Sequence, residues 1–178
     1  TESYFHSNYF DHRIGQITTL NQGESYKDIE MGILNQCHNH HKRNIKKGLK
    51  NCLTIRRDND ANSFYELWKI HDQNIKAIGG LPKELHIFES IQNNFEAKED
   101  YELYTAHLEN TFVGALLIFF YKDMVEYYCP VTIDKYRNLQ VIPLIIFEAM
   151  KNAIYERKCK FWNWGGTWLT QSDVYDFK

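Results

Sequence analysis

The residues best suited to chemistry in this 178-residue sequence gather towards its C-terminal end. Gly165-Gly166-Thr167 follows the aromatic run Phe161-Trp162-Asn163-Trp164. A Gly-Gly turn at a strand end bares backbone N–H groups that can hold an anion or a developing oxyanion, or it simply supplies positive φ. Glu126 and Tyr128 lie two apart in an extended run and so share a face, opposite Val125, Tyr127 and Cys129. There a carboxylate can take up a proton and a phenol ring can support a flat ligand, unless the face is merely solvated. Asp134 is a second candidate base. Trp162 and Trp164 alternate with Phe161 and Asn163, which leaves Trp164 available to stack on a nucleotide or sugar ring or to pack in the core. Arg43, Lys46, Lys47 and Lys50 fall on one helical face, and with Arg56, Arg57 and Arg137 they could hold phosphates or form a solvated surface. Cys37, His38, His40 and His41 are metal-ligand types. On a helix only pairs such as Cys37 with His41 converge, and no distant partner completes a tetrahedral site, so no metal is expected.

These residues need elements to position them. The pattern over 124–164 predicts a strand (124–131), a connection (132–139), an apolar helix (140–157) and a strand (160–164). A crossover helix of that length returns the chain so that the two strands run parallel, and ligands in such units collect at the strand ends. Ahead of it, 101–108, 112–121 and 124–131 are joined by short turns as an antiparallel meander. Earlier still, hydrophobic spacing predicts a helix over 24–49, a short strand over 52–57 and a helix over 62–78. Gly79-Gly80 ends that helix, and Pro82 opens another that runs to residue 95. Residues 14–20 make a short edge strand or an extended entry. The expected class is α+β, with a mixed, mostly antiparallel sheet flanked by helices and a β-α-β crossover at the C-terminal end.

Hydrophobic content of 43% and charged content of 25% are those of a globular domain with a real core. A formal net charge of -2 gives no global case for nucleic acid or membrane binding, so any basic surface is local. The aromatic share of 15% is high enough to supply a recognition surface as well as a core. Four widely spaced cysteines without a C-x-x-C pair suit reduced thiols and a cytoplasmic protein. The longest apolar run, 113–120, is too short to span a bilayer, and no signal peptide is visible. Because the sequence starts at Thr1 and stops at Phe177-Lys178, a fragment of a longer protein is expected.

Four stretches in this order resemble the GNAT acyltransferase fold, and more closely its Fem-like branch, the FemAB- and FemX-type aminoacyl and acyl transferases. They are Arg43-Asn44-Ile45-Lys46-Lys47-Gly48-Leu49-Lys50, Phe64-Tyr65-Glu66-Leu67, Tyr136-Arg137-Asn138-Leu139 ahead of the Pro143 helix, and Phe161 through Thr167 with Phe177-Lys178 behind. The resemblance implies a GNAT-like domain over 24–178, with 1–23 an extension or the remnant of a preceding unit. It implies transfer of an acyl or aminoacyl group from aminoacyl-tRNA or acyl-CoA to a primary amine of a cell-wall or surface-glycan precursor, with no tightly bound cofactor. It puts Lys178 at the reaction centre, where a cation can stabilise an oxyanion or the donor's ester end. It strengthens Arg43 and Lys47 as contacts to a tRNA acceptor end or a nucleotide-linked precursor. The catalytic candidates are then Lys178 and Glu126; the substrate-binding candidates are Arg43, Lys47, Tyr128, Arg137, Trp164, Gly165, Gly166 and Thr167.

Two features depart from the family pattern. Fem-like proteins usually contain two GNAT-like units, and only the second is evident here. The Gln/Arg-x-x-Gly-x-Gly/Ala phosphate loop is absent where Arg137-Asn138-Leu139-Gln140-Val141-Ile142 stands, which points away from acetyl-CoA. Two other readings stay open: a non-catalytic GNAT-fold module that binds a nucleotide-sugar or RNA, and a CoA-dependent N-acetyltransferase with an atypical phosphate loop. The transferase reading requires Tyr128 and Trp164 to lie on neighbouring strands that splay apart.

Overall fold

A computed structural model describes residues 12–178. Residues 1–11, half of the expected N-terminal extension, lie outside the described residues. In chain order the elements are β1 (Arg13–Thr19), α1 (Tyr26–Gln36), α2 (Asn39–Lys50), β2 (Leu53–Arg57), α3 (Ala61–Ala77), α4 (Leu85–Asn94), β3 (Tyr101–Leu108), β4 (Thr111–Tyr121) and β5 (Met124–Thr132). A 3-10 turn (Asp134–Leu139), α5 (Val141–Arg157), β6 (Phe161–Trp168) and α6 (Ser172–Phe177) complete the chain. One six-stranded sheet has the order β1-β6-β5-β4-β3-β2, antiparallel throughout except at β5 and β6. Residues 13–19, expected to precede a domain beginning at residue 24, are the edge strand of this same sheet.

The sheet divides the core in two. On one face, α1, α2 and α5 bury Ile29, Ile33, Ile45, Leu144 and Ile145 against Val125, Trp162 and Trp164. On the other, α3 and α4 bury Phe64, Leu67, Phe88 and Ile91 against Leu103, Leu117 and Val131. Ten of the 17 residues of α5 are buried, because this helix is sandwiched between the sheet and α1–α2 and is apolar nearly all round. No helix of the described residues is long and apolar enough to cross a membrane.

The single helix expected over 24–49 is two helices, broken where Cys37 and His38 take extended conformations. Geometry explains the break. At about 100° per residue, a straight helix would turn Ile45 roughly a third of a turn away from Ile33; the break brings both onto α5. The helix expected to open at Pro82 starts instead at Leu85, with Glu84 at its N-cap. His71 explains the delay, since its Nε2 accepts from the Lys83 N–H at 3.1 Å and holds residues 82–84 in an extended lead. Asp60 caps α3 by accepting from the Ser63 N–H at 3.0 Å.

Two glycines set close approaches around the first turn of α5. A Cβ on Gly48 would stand 3.0 Å from the Leu144 Cβ and 3.2 Å from the Gln140 carbonyl, so α2 lies directly on α5 there. A Cβ on Gly114 of β4 would come within 2.7 Å of both the Val131 carbonyl oxygen and Val141 Cγ1. That neighbour is backbone and cannot rotate away. Gly114→Ala should therefore lower stability by about 1–3 kcal/mol, as overpacking does, read as a reduced urea midpoint at unchanged slope; an unaltered midpoint would mean that β4 and β5 shift apart freely.

Candidate active site

β5 and β6 pair at Met124/Phe161, Val125/Trp162 and Glu126/Asn163, and at no later position. Beyond that point each strand carries an irregularity. In β5, Tyr128 is an extra residue between the Leu117/Cys129 and Ile118/Tyr127 pairs with β4. In β6, Trp164 and Gly165 together face Gln16 of β1, with Gly165 at φ 70°. Bulges bend strands, so β5 follows β4 and β6 follows β1, and the two part. Pro130 lies in the parted stretch, where no partner strand needs its missing N–H. The resulting slot, about 310 Å³, is lined by Tyr127, Pro130 and Thr132 of β5, by Val141, Ile142 and Pro143 of α5, and by Asn74 of α3. It thus has walls from both faces of the sheet. The neighbouring strands do splay as expected, although the residues at the opening differ from those expected.

The first turn of α5 opens into the slot, and a helix N-terminus favours an anion. Arg137 also lines it, with its Nε 3.1 Å from Asp134 Oδ1 in an exposed ion pair. The last turn of α2 reaches the same corner, because Asn51 Nδ2 donates to the Leu139 carbonyl at 2.9 Å. Arg43 and Lys47 are exposed on α2, outside the slot itself.

Glu126 and Lys178 are near enough for each one's charge to act on the other. Burial pushes the Glu126 carboxyl above its usual range, while a hydrogen bond from the Asn163 side chain and the Lys178 charge pull it back. Burial likewise lowers Lys178, which the Glu126 charge opposes. Asn163 is the hinge of this group, since its Oδ1 accepts from the Gly165 N–H at 3.0 Å and leaves its amide nitrogen for Glu126. Lys178 Nζ also donates to the Gly166 carbonyl at 3.5 Å.

Several expected placements need correction. Gly165-Gly166-Thr167 is not a free turn. β6 continues through it, with Gly166 and Thr167 in register with Gly15 and Ile14, and the Gly165 N–H is already held by Asn163. Thr167 is buried at 1% exposure, its hydroxyl 3.4 Å from Gln16 Oε1. Tyr128 lies on the α3–α4 face, 5.2 Å from the Phe119 ring and beneath Lys83, and it does not line the slot. The bulge moves Cys129 to that same face, where burial pushes its thiol up to about 12. Trp164 is a core residue whose Nε1 donates to Thr18 Oγ1 at 2.9 Å. The residues that sequence reasoning missed are Tyr127, Phe177 and His41. Tyr127 packs 5.4 Å from Trp164, and Phe177 lies 6.3 Å from Trp164 and 6.1 Å from His41. Pro130 inside an apparently inner strand was the available signal that β5 lacks a partner there.

The profile of the acetyltransferase (GNAT) domain family matches residues 35–172. No curated protein matches the chain in sequence. Among solved structures, FemX superposes over 93% of this chain with a TM-score of 0.78 at 14% identity, and the chain spans 56% of FemX. An aminoglycoside acetyltransferase from an uncultured soil metagenomic sample, in complex with sisomicin, matches over 72% of this chain and 86% of its own, with a TM-score of 0.55 at 17% identity. The C-terminal domain of a putative lysylphosphatidylglycerol synthetase from Agrobacterium fabrum matches over 92% and 52%, with a TM-score of 0.52 at 10% identity. At these identities the likeness is one of fold: the mixed, mostly antiparallel α+β architecture is that of the GNAT fold.

The elevated Glu126 carboxyl has a consequence for stability. A carboxyl that titrates higher in the folded chain than in the unfolded one favours folding when protonated. Its contribution is complete below the unfolded value and is lost as pH rises through the folded value. Glu126→Gln should therefore melt higher than the parent at about pH 8, with the gap closing towards about pH 4; thermal unfolding across that range checks the sign.

Proposed function

Since the chain belongs to the acetyltransferase (GNAT) domain family, we propose that it transfers an acyl or aminoacyl group to a primary amine of a cell-wall or surface-glycan precursor in the cytoplasm. The observation that carries this reading is the slot left where β5 and β6 stop pairing after three positions, with the first turn of α5 at one end. The Fem-like sequence features and a fold that follows FemX over 93% of the chain support this choice of acceptor. Four free thiols suit a reducing compartment.

The donor lies with its phosphates at the first turn of α5 and beside Arg137, and its carbonyl passes Phe177 at the edge of the slot towards Lys178. The exposed cations Lys47 and Arg43 on α2 extend this electropositive path towards a tRNA acceptor end or a CoA. The amine enters from the α3–α4 side, the face of β5 that carries Glu126. Its nitrogen attacks the carbonyl carbon, and a C–N bond forms as the C–S bond of a thioester, or the C–O bond of a tRNA ester, breaks. The bonding pair leaves with sulfur or oxygen. Glu126 takes the proton that the amine gives up and returns it to the leaving group. Lys178 stabilises the oxyanion of the tetrahedral state.

A second reading has an observation in its favour. The turn ahead of α5 contains no glycine, and Pro143 removes one N–H from the helix's first turn, so phosphate binding there is weaker than in a glycine-rich loop. That suits a module that binds a ligand without turning it over. Incubation with labelled acyl-CoA or aminoacyl-tRNA and an amino-sugar acceptor separates the two: amide product supports the transferase, whereas tight donor binding with no product from either donor supports the module. In the productive assay, Glu126→Gln should lower kcat by about 10²–10⁴. Lys47→Glu should raise the donor KM with kcat nearly unchanged, the pattern of a contact made equally in ground and transition states.

A further inference from the structure

A second cavity of about 420 Å³ lies beside the slot, between β1, the far end of β6 and the helices α1, α2 and α5. Well-packed interiors leave few voids larger than a water molecule, whereas ligand pockets of several hundred Å³ are apolar with a few convergent polar groups. This cavity has the second character. Its buried lining is apolar, formed by Leu20, Ile33, Ile45, Phe147 and Met150, and the less buried lining carries polar groups that include Gln16, Gln36, His41 and Lys178. His41 is held towards its neutral form by burial, and the Asp176 backbone near its ring opposes that shift. A neutral imidazole and an ammonium in this lining suit a carbonyl or carboxylate oxygen, with hydrocarbon beyond.

The partition between this cavity and the slot is thin. Pro143 and Phe177 line both, while Tyr127 on the slot side and Trp164 on the cavity side have ring centroids 5.4 Å apart. Phe177 reaches that wall from the C-terminal end of the chain. It ends a six-residue helix that is tied down by Gln16 Nε2 donating to the Tyr175 carbonyl at 3.0 Å and by the His41–Asp176 contact.

We infer that this cavity is an acyl-chain pocket, so that the transferred group carries an apolar chain whose carbonyl lies beside Lys178 and whose tail runs past Phe177 towards Met150. The inference rests on the acyl-transfer reading for the identity of the occupant. At about 30 Å³ per small group, the space takes a chain on the order of eight to ten carbons with room for its polar end. Each methylene buried there tightens binding roughly fourfold.

The test uses the full chain and sodium salts of straight-chain carboxylic acids from butanoate to dodecanoate, with affinity read by calorimetry and by Trp fluorescence. Affinity should rise about fourfold per methylene up to octanoate and stop rising beyond decanoate. Met150→Phe, which fills the depth, and Gln36→Trp, which obstructs the exposed mouth without entering the core, should each weaken octanoate at least tenfold while the far-UV spectrum and unfolding midpoint stay near those of the parent. No dependence on chain length, or octanoate affinity in both variants equal to that of the parent, would overturn the pocket. Parallel transfer assays with acetyl-CoA and octanoyl-CoA keep the two readings apart. Acetyl transfer without octanoate binding removes the pocket and leaves the transferase, whereas chain-length-dependent binding with no transfer from any donor removes the transferase and leaves the pocket.

Discussion

The structure depends on β5 and β6 being paired for three residues and no more. Every backbone N–H and C=O taken out of water needs a partner, so two parallel strands that begin zipped normally stay zipped. Here each is drawn away by its other neighbour: β5 remains in the β4 ladder to Thr132, and β6 remains in the β1 ladder to Trp168. The parting leaves one side of β5 as a short interior sheet edge. Such an edge is completed by water or by the amide and carbonyl groups of a ligand that lies along it. Pro130 removes a donor from that stretch and so lessens the backbone left without a strand partner.

The parted strands stay apart because α5 is wedged over them. The first turn of this helix is gripped from two directions, by Gly48 of α2 on the Leu144 side and by Gly114 of β4 on the Val141 side. Both contacts are close enough that the slot's electropositive end has a fixed position relative to the sheet. At the other end of α5, Asn152 donates to the Tyr104 hydroxyl, which donates to the buried Glu102 carboxyl, and Arg57 bonds Glu156 at 2.7 Å. Burial raises Glu102 while the Arg57 charge lowers it, so this polar network anchors the C-terminal half of the helix without entering the slot. A helix held at both ends over an open seam transmits little strain to it, and the seam is therefore preformed.

Most of the architecture was legible in the sequence because its signals are local. Period-two apolar runs, two-residue turns and an uninterrupted apolar helix placed β3, β4, β5 and α5 to within a residue or two. The parallel crossover followed from the length of the connection. What escaped was set by tertiary geometry. The break at Cys37–His38 carries no proline or glycine and exists because α5 must be met by both Ile33 and Ile45. The bulge at Tyr128 shifts Cys129 to the other face, which alternation alone cannot reveal. The Gly165-Gly166 pair looked like a turn because glycine pairs usually are, but here one glycine supplies the positive φ of a bulge and the other meets Arg13 across the strand pair. At the site, Glu126 was read from the alternation of its strand and Lys178 from the family resemblance, whereas Asn163, which accepts from the Gly165 N–H and acts on Glu126, drew no attention because an amide in a strand carries no distinctive pattern.

The Glu126–Lys178 relation shows how two half-buried groups within reach of one another's charge differ from a salt bridge on a surface. Burial pushes both groups towards neutrality, and each one's charge restores the other. In the proposed reaction, a donor carbonyl brought beside them would displace water from both and strengthen the desolvation penalty and the mutual attraction together. If its oxygen accepted from Lys178, part of the ammonium's charge would be drawn away from Glu126. The carboxylate would then be a stronger base towards an amine arriving from the α3–α4 side. Asn163, whose Oδ1 accepts from the Gly165 N–H, is the side chain that opposes the rise in the Glu126 carboxyl most directly, so the proton affinity of this carboxyl is set within the β5–β6 pair itself.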